Sequence, residues 1–506
     1  MINNNSTIRS IAFVLVISFA FLPTFSFAWV NEEGVGKFRK SVTKILSNIC
    51  LRKNNYGIKI YSLDRGETLY EIRSKKLFIP ASNSKILTTA AALKFLGSNY
   101  RFATRIYTDG ILENETLKGN LYIKGSGDPK LVTEQLWLMV NELRNLPIKR
   151  IEGNIIADDT FFDNQKRVKT WIKNPGAQAY EAPLGALSFN FNTVKVYVSP
   201  GKKVGDRPTI IIEPENEYIK LENNAQTLSP GKHRRLIVNR VDKENHDLIT
   251  VSGGINIGQP RAQYFLNITN PIQYALNVFK SYIELSGITF SGKLQKGKVP
   301  DGALELYMHE GEPLALALRG LNKFSNNFVA EQILKTIGGE HLGFPGSTKK
   351  GLRVFEEYMK ELGYEPGQYS IYDGSGLSRQ NRLSPKIIVD ILRNVKDDLS
   401  VYPEFVTALG VMGVDGNVKN RMRKVTNSNK ARVKTGTLNF VSAISGFFQS
   451  KEGESFAFSI LMNDLKCSNV RAKKIQDQII QKGLNFQRIP AGSVLTDDKE
   501  KRISKP

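Results

Sequence analysis

Residues 80–97 read PASNSKILTTAAALKFLG, and this stretch decides the fold. Its Ala/Leu-rich centre predicts a helix that ends at Gly97 and has Ser82 at its N-terminus. Ser82 and Lys85 then lie one turn apart on the same face, close enough for direct proton transfer. The free N–H groups and the dipole at this end of the helix favour negative charge on a carbonyl oxygen that Ser82 attacks. The stretch therefore predicts a serine nucleophile with a lysine base.

Two more patterns follow Ser82 along the chain. They are Ser325-Asn-Asn327, in a predicted helical stretch, and Lys434-Thr-Gly-Thr437, directly before a predicted hairpin. Each short pattern is weak alone, because Ser41-Val-Thr-Lys44 and Ser347-Thr-Lys-Lys350 also match Ser-x-x-Lys, although Lys-Thr-Gly occurs only once. Ser-x-x-Lys, Ser-x-Asn and Lys-Thr-Gly in this order form a signature of penicillin-recognising serine enzymes. Their conjunction is much stronger than any one member.

Other hydrolase chemistries lack their residues. A Ser-His-Asp hydrolase needs an imidazole base, but the four histidines stand in no motif and no Gly-x-Ser-x-Gly elbow occurs. The His-Glu-x-x-His pattern and clustered Cys/His ligands are also absent, so neither a metal site nor a cofactor is expected. Lysine is the remaining base.

The five predicted catalytic residues have distinct roles. Lys85 must be neutral to accept the Ser82 proton, and we expect partial burial and the charge of Lys434 to lower its pKa. Asn327 is expected to orient Lys85 and the substrate amide, while Ser325 relays a proton to the leaving group. The alternative for Ser325 is a purely structural helix cap.

The substrate-binding prediction centres on the Lys-Thr-Gly segment. Thr435 and Thr437, with Lys434, offer hydroxyl and cationic donors to a terminal carboxylate. Gly436 lets a strand edge approach the substrate without an intervening side chain. The backbone N–H groups of Ser82 and Thr437 are the predicted oxyanion hole, the alternative being that Thr437 is only a strand residue.

The length and the net charge of the chain limit the number of structural units and the kind of partner to be expected. A chain of 506 residues is expected to form two or three structural units. Its net charge of +23 implies an anionic partner. Nucleic acid is not expected, because Lys and Arg are scattered and no arginine-rich arm or zinc motif accompanies them. Cell-wall polymers, or peripheral contact with a membrane surface, fit better; the alternative is that the charges are ordinary solvated lysines.

The N-terminus predicts export. Arg9 precedes an apolar run over residues 11–21, and Ser26-Phe-Ala28 forms a small-x-small cleavage site. We therefore expect a signal peptide over residues 1–28 and a periplasmic or otherwise extracytoplasmic mature protein. The alternative is an uncleaved membrane anchor, because apolar residues continue to Phe27.

The pattern of the remaining chain separates a β-rich middle from helical flanks. Short runs such as 119–123 and 187–198 predict an insert with little helix between about residues 100 and 301. A strand is predicted at 56–63 and a hairpin at 441–448 and 455–462. Helices are predicted at 35–49, 311–320, 322–337, 351–362, 385–395 and 471–482.

With these residues in place, the sequence resembles the D-alanyl-D-alanine carboxypeptidase/endopeptidases of the DacB type, the low-molecular-mass class C penicillin-binding proteins. The likeness covers most of the mature chain and extends beyond the three motifs. Further stretches that carry it are GSGDP at 125–129, YEAPLGALSFNFN at 180–192, DGSGLSR at 373–379 with Asn381 and SP at 384–385, and GVDG at 413–416.

The resemblance implies an α+β fold. Its transpeptidase-like catalytic domain would hold a five-stranded antiparallel sheet flanked by helices, interrupted by a β-rich two-domain insertion between Ser82 and Ser325. The implied divisions are 29–99 with 305–490 for the catalytic domain, 100–200 with 270–304 for inserted domain II, 201–269 for inserted domain III, and 491–506 for a polar tail. The first strand pairs with the last in this fold, so Cys50 and Cys467 should approach each other at one sheet edge, where a disulfide can form.

The resemblance also implies an activity. A serine-type D-Ala-D-Ala carboxypeptidase/endopeptidase would act on peptidoglycan stem peptides and cross-links through a Ser82 acyl-enzyme, with β-lactams as covalent inhibitors and no cofactor. One departure is the basic stretch WIKNPG at 171–176, where related enzymes can carry an acidic residue that reads diaminopimelate. Selectivity at the third stem-peptide residue and the balance of the two activities therefore stay open. The alternatives are a β-lactamase and a weakly active wall-binding or β-lactam-sensing module.

Overall fold

The computed structural model describes residues 24–47, 50–51, 55–171 and 176–488, and only the backbone of residues 24–32. Residues 1–23 of the predicted signal peptide, residues 172–175 of the basic stretch and the polar tail 491–506 lie outside the described residues. Within the described part of the chain, no helix has both the length and the apolar composition needed to cross a membrane.

Helices and strands alternate along the described part of the chain. The helices are α1 (Thr24–Leu46), α2 (Ser84–Leu96), α3 (Thr133–Asn145), α4 (Pro271–Leu285), α5 (Leu314–Phe324), α6 (Asn327–Leu342), α7 (Thr348–Glu361), α8 (Pro385–Asp397), α9 (Tyr402–Ala408) and α10 (Asn469–Leu484). The strands are β1 (Tyr56–Ser62), β2 (Glu67–Ile72), β3 (Arg101–Thr108), β4 (Ile111–Glu113), β5 (Thr116–Lys118), β6 (Leu121–Lys124), β7 (Arg150–Ile151), β8 (Ile155–Asp158), β9 (Thr193–Ser199), β10 (Thr209–Glu213), β11 (Ile219–Leu228), β12 (Ile237–Lys243), β13 (His246–Asn256), β14 (Ala262–Asn267), β15 (Thr289–Phe290), β16 (Leu294–Lys296), β17 (Leu304–Pro313), β18 (Gly410–Val411), β19 (Ala431–Leu438), β20 (Val441–Gln449) and β21 (Ser455–Met462).

One sheet of six strands is antiparallel throughout. Its order is β18-β19-β20-β21-β1-β2, so the N-terminal strand β1 lies beside the last strand β21. Five of these strands match the implied sheet, and the two-residue strand β18 is an additional edge strand. Helix α2 lies in the core that contains α6 and α8, and every residue from Ser84 to Leu93 is buried. A helix that is buried all round needs small or apolar residues on every face, which the Ala-rich sequence supplies.

The implied approach of the two cysteines is found in the structure. Cys50 and Cys467 form a disulfide, with their Cα atoms 5.2 Å apart. Their place differs from the expectation, because β1 is flanked by β21 and β2 and is not an edge strand. The disulfide joins the chain just before β1 to the chain just after β21, and thus fastens one end of an interior strand pair.

The insert contains more helix than the sequence predicted. Helices α3 and α4 pack on each other, α3 also contacts β17, and α4 contacts β8, β15 and β16. The small sheets of the insert have the strand orders β16-β8-β6-β3-β17, β15-β7-β5-β4, β10-β9-β14 and β11-β13-β12. The predicted strand at 187–198 is wrong for its first half, where Asn190, Phe191 and Asn192 have φ of 51°, 59° and 53°. Three consecutive left-handed residues cannot form a strand, and β9 begins only at Thr193.

The predicted helix over 322–337 is broken. Ser325 has φ of 59° and separates α5 from α6, since a left-handed residue ends the helix that precedes it. Helix α5 begins at Leu314 and not at 311, because β17 runs through Pro313 and pairs with β3. The break places Ser325 in a tight bend at the N-terminus of α6.

Candidate active site

Ser82 lies at the start of the buried helix α2. It belongs to the single 3-10 turn Ala81–Asn83 that precedes the helix, and it is partly exposed while both neighbours are buried. Two glycines make room for this turn. A Cβ on Gly376 would meet the Ala81 carbonyl, and a Cβ on Gly436 would lie 3.0 Å from the Ser82 nitrogen. The nucleophile is therefore held between two segments that approach it by backbone alone.

Lys85 is fully buried directly behind Ser82. Its Nζ donates to Ser82 Oγ at 3.1 Å, to Asn327 Oδ1 at 2.8 Å and to the Ser375 carbonyl at 2.5 Å. An ammonium group has three donors, so these acceptors account for all of them. Burial lowers the pKa of Lys85 to about 7, against the opposing effects of the Asp373 and Glu331 carboxyl groups. The amine therefore loses its proton near neutral pH.

Lys434 is the second fully buried lysine of the site. Its Nζ donates to Ser325 Oγ at 2.9 Å and to the Thr435 carbonyl at 2.7 Å. Burial and the nearby Lys85 ammonium hold the pKa of Lys434 well below its usual range. The left-handed bend at Ser325 turns the hydroxyl of that residue toward the Lys434 amine.

The charge of Lys434 was predicted to lower the pKa of Lys85. Burial lowers the pKa of Lys85, and the carboxyl groups of Asp373 and Glu331 raise it. Burial and the Lys85 ammonium lower the pKa of Lys434. Because repulsion between two cations is reciprocal, a charge on either buried amine disfavours a charge on the other.

Asn327 connects Lys85 to the insert. Its Oδ1 accepts from Lys85, and its Nδ2 donates to the Tyr180 carbonyl at 3.1 Å. This pairing fixes the orientation of the amide, because the oxygen faces a donor and the nitrogen faces an acceptor. The insert therefore takes part in ordering the site.

The Lys-Thr-Gly segment forms one wall of an open cavity of about 490 Å³. Thr435 and Thr437 line this cavity, while Lys434 is buried beneath it. Gly436 has a different role from the predicted one, because a Cβ there would lie 2.9 Å from the Pro80 carbonyl and would push β19 away from the nucleophile turn. The lining residues are Ser82, Tyr180, Ser325, Asn327, Gly376, Leu377, Arg379, Asn417, Thr435, Thr437, Leu438, Asn439 and Asn469.

Sequence reasoning gave no role to Asp373, although its stretch was part of the family likeness. The buried carboxylate accepts from the N–H groups of Gly376 and Ser378 at 2.8 and 2.6 Å, from Asn381 Nδ2 at 2.6 Å and from Trp171 Nε1 at 3.0 Å. These bonds hold the loop whose backbone carbonyl binds the catalytic lysine. An aspartate followed by alternating glycines is a turn signal that marks such a loop.

Glu331 was missed as well. It accepts from the N–H groups of Gly374 and Ser375 at 3.3 and 2.8 Å, and so fixes the same loop from helix α6. Burial and the neighbouring Asp373 raise the pKa of Glu331 to about 8. Its position four residues after Asn327, on the same helix face, was the available signal.

Among the described residues, no group of three or more His, Cys, Asp and Glu side chains is arranged to hold a metal ion. The chemistry available to the site comes from a hydroxyl, two amines of lowered pKa, an amide and backbone N–H groups. These groups suit acyl transfer to serine.

Comparisons with known proteins find similar sequences along most of the chain. The family model described as D-Ala-D-Ala carboxypeptidase 3 (S13) matches residues 38–483. A D-alanyl-D-alanine carboxypeptidase of Actinomadura sp. is 31% identical over 441 residues, which cover 84% of this chain and 81% of the relative. D-alanyl-D-alanine carboxypeptidase DacB of Haemophilus influenzae is 24% identical over 475 residues, 93% of this chain and 95% of the relative.

A solved structure has the same fold. The crystal structure of penicillin binding protein 4 (dacB) from Haemophilus influenzae has a TM-score of 0.76 and 23% identity, and the match covers 87% of this chain and 98% of that chain. This likeness confirms the predicted α+β fold with its β-rich insertion.

Proposed function

Since this chain belongs to the D-Ala-D-Ala carboxypeptidase 3 (S13) family, we propose that it hydrolyses peptidoglycan stem peptides and cross-links through a covalent ester on Ser82. Membership of the family makes it a hydrolase of the D-Ala-D-Ala carboxypeptidase class. The observation that carries the assignment of the nucleophile is the 3.1 Å contact between Lys85 Nζ and Ser82 Oγ in the open cavity.

Acylation begins when neutral Lys85 accepts the Ser82 proton. Ser82 Oγ then forms a bond to the carbonyl carbon of the penultimate D-Ala. Negative charge develops on the carbonyl oxygen, where the N–H groups of Ser82 and Thr437 stabilise it. The C–N bond breaks as the proton that Lys85 took passes through Ser325 to the leaving amine, so Lys85 is neutral again and the acyl group remains on Ser82. Water then attacks the ester while Lys85 accepts its proton, the ester C–O bond breaks, and that proton passes to the Ser82 oxygen to restore the free serine.

The substrate carboxylate sets the charges of the two lysines. When it binds beside Thr435 and Thr437, it favours the charged form of the buried Lys434. A cation at Lys434 disfavours a second cation at Lys85, which then remains the neutral base that acylation requires. Substrate binding therefore also favours the neutral form of Lys85, which acts as the base.

Cross-link cleavage uses the same atoms with a different leaving amine. β-Lactams acylate Ser82 by the same first step, but ring opening keeps the leaving amine attached to the acyl group. The proposed partners of the site are therefore peptidoglycan and β-lactams. Peripheral contact with the wall or with a membrane surface through the net charge of +23 is part of the proposal.

Export is also part of the proposal. The substrate lies outside the cytoplasm, and the first 28 residues have the pattern of a cleaved signal peptide. We expect the mature protein to begin at Trp29 in the periplasm or another extracytoplasmic compartment. N-terminal sequencing of protein expressed with its native leader tests this, and a protein that retains Met1 would contradict it.

The domain division supports the function by placing the insert beside the catalytic cavity. We propose the boundaries given above with one change. Because β17 pairs with β3 in a sheet of the insert, the second boundary fits better near Leu314 than at 305. The Tyr180 carbonyl then reaches Asn327 from a separate domain.

The test is mass spectrometry of the protein after incubation with benzylpenicillin, followed by assay of D-alanine release from a stem pentapeptide. We expect a persistent adduct on the peptide of residues 77–85, none in Ser82→Ala, and D-alanine release by the wild type alone. An adduct elsewhere would overturn the assignment of the nucleophile. Rapid loss of the adduct would indicate a β-lactamase, and a stable adduct without D-alanine release a sensing module.

A further inference from the structure

The exposed position and the backbone conformation of Phe440 are not explained by the stability of the fold. Phe440 is 65% exposed, and its φ is 62° in the short connection between β19 and β20. Left-handed backbone is costly for a bulky side chain, and Asn or Gly would be cheaper at this position. The exposed ring gains little from burial in return. A residue that breaks both rules is a candidate for a functional role.

The backbone that carries Phe440 is fixed by three other segments. Arg379 Nη1 donates to the Asn439 carbonyl at 3.0 Å, and the Leu465 N–H donates to the Phe440 carbonyl at 3.1 Å. Asn469 Nδ2 donates to the Leu438 carbonyl at 3.1 Å. The ring is thus presented on a rigid turn, which lowers the entropy that binding a ligand costs.

This turn lies at one end of the catalytic cavity. Leu438, Asn439 and Asn469 line the cavity, and Val470, which follows in helix α10, is 66% exposed. Phe440 and Val470 are therefore exposed apolar residues that directly follow two residues of the cavity lining in the chain. Isolated exposed apolar residues are common on proteins, but these two stand beside a cavity that must hold a peptide.

The direction of β19 decides which part of the peptide reaches Phe440. The carboxylate of the leaving D-Ala belongs near Lys434 and Thr435, and the reacting carbonyl belongs at the Ser82 and Thr437 N–H groups. The acyl part of the peptide therefore extends past Leu438 toward the turn. Phe440 follows Thr437 by three residues, roughly 10 Å of extended chain, which is also the reach of about three peptide residues.

We propose that Phe440 and Val470 bind the apolar parts of the acyl-donor peptide that precede its third residue, three or more residues upstream of the scissile bond. This inference rests on the proposed function. It makes the turn a determinant of substrate length: a stem pentapeptide contacts Phe440, while a short peptide with the same D-Ala-D-Ala end does not.

The experiment compares two substrates with the same third residue, an Nα-acetylated tripeptide that ends in D-Ala-D-Ala and the full stem pentapeptide. The variant is Phe440→Asn, because asparagine accepts the left-handed backbone and should not lower the melting temperature. We expect kcat/KM for the pentapeptide to fall about tenfold, the difference that one apolar contact makes. The value for the tripeptide and the rate of acylation by benzylpenicillin should stay within about twofold.

Two further variants sharpen the result. Val470→Ser should show the same selective loss to a smaller degree. Phe265→Ser removes a 51% exposed phenylalanine from strand β14 of the insert and should change neither substrate. An unchanged pentapeptide value in Phe440→Asn, or an equal loss on both substrates, would overturn the proposal. A wild-type protein that releases no D-alanine and forms no penicillin adduct would overturn the proposed function itself.

Discussion

Two regions of this protein bury a lysine almost completely, and they treat it differently. Lys335 on helix α6 is 1% exposed and forms an ion pair with Asp163 at 2.6 Å, with a further bond to the Gln165 carbonyl at 2.9 Å. Lys85 and Lys434 in the catalytic region donate only to hydroxyl, amide and backbone oxygens. All three have a lowered pKa because of burial. The three lysines differ in the charge of their acceptors, which include a carboxylate for Lys335 and are neutral oxygens for Lys85 and Lys434.

The difference shows how one residue type serves structure in one place and chemistry in another. The Asp163 carboxylate stabilises a charged Lys335 and so fastens the insert to helix α6. Neutral acceptors hold the catalytic amines in position without favouring their charge as strongly. A lysine held in this way can exchange a proton with Ser82 near neutral pH.

The largest expected effect comes from removing the base. Lys85→Met keeps the volume of the side chain and leaves Ser82 without a proton acceptor. We expect the rate of Ser82 acylation by benzylpenicillin to fall by at least about 10³-fold, the upper part of the range for general-base catalysis. Stopped-flow or quenched mass spectrometry measures it, with the melting temperature as the control for folding. A fall of less than tenfold would mean that another group serves as the base.

A smaller effect is expected at the second catalytic lysine. Lys434→Met should lower kcat/KM for a peptide that ends in a free carboxylate by about 10²-fold, because one charged donor is lost. The same peptide with a C-terminal amide should already be a poor substrate for the wild type, and its kcat/KM should fall little further in the variant. Equal losses on the acid and the amide would show that Lys434 does not act through the carboxylate.

The structural lysine should affect stability and not chemistry. Lys335→Met leaves the Asp163 carboxylate without its partner, which should destabilise the fold by about 1–3 kcal/mol. Acylation of Ser82 should stay within about twofold at a temperature where the variant is folded. Thermal unfolding and penicillin labelling measure the two properties, and Asp163→Asn is the matched variant on the other side of the pair. A large loss of acylation with no change in melting temperature would reverse the roles assigned to the two regions.

Much of the catalytic region could be predicted from the sequence. Ser82 and Lys85 are three residues apart on a helix, so local geometry alone brings them together. The hairpin of β20 and β21 and the position of Lys434 before it also follow from local patterns. Ser325 and Asn327 could be placed by their order in the chain, although the left-handed bend between α5 and α6 could not, because serine gives no strong signal for that conformation.

The remainder depends on contacts between distant parts of the chain. The Ser375 carbonyl that completes the bonds of Lys85 has no side-chain signature, and Lys335 resembles any lysine on an amphipathic helix until Asp163 approaches it. Helices α3 and α4 were overlooked because turn residues dominate their surroundings. Gly436 was predicted to make room for the substrate, but the space that it leaves lies next to the turn that carries Ser82. Only the fold shows that β19 packs on this turn.

The most direct test is the pH dependence of Ser82 acylation by benzylpenicillin, whose own ionisation does not change between pH 5 and 9. Neutral Lys85 is the reactive form and its pKa is about 7, so the second-order rate should rise with pH through a transition near that value, and it should fall where Lys434 loses the charge that binds the carboxylate. Lys335→Met should retain the transition, and Lys85→Met should lose it. A wild-type rate that is constant from pH 5 to 9 would show that a neutral Lys85 is not the base.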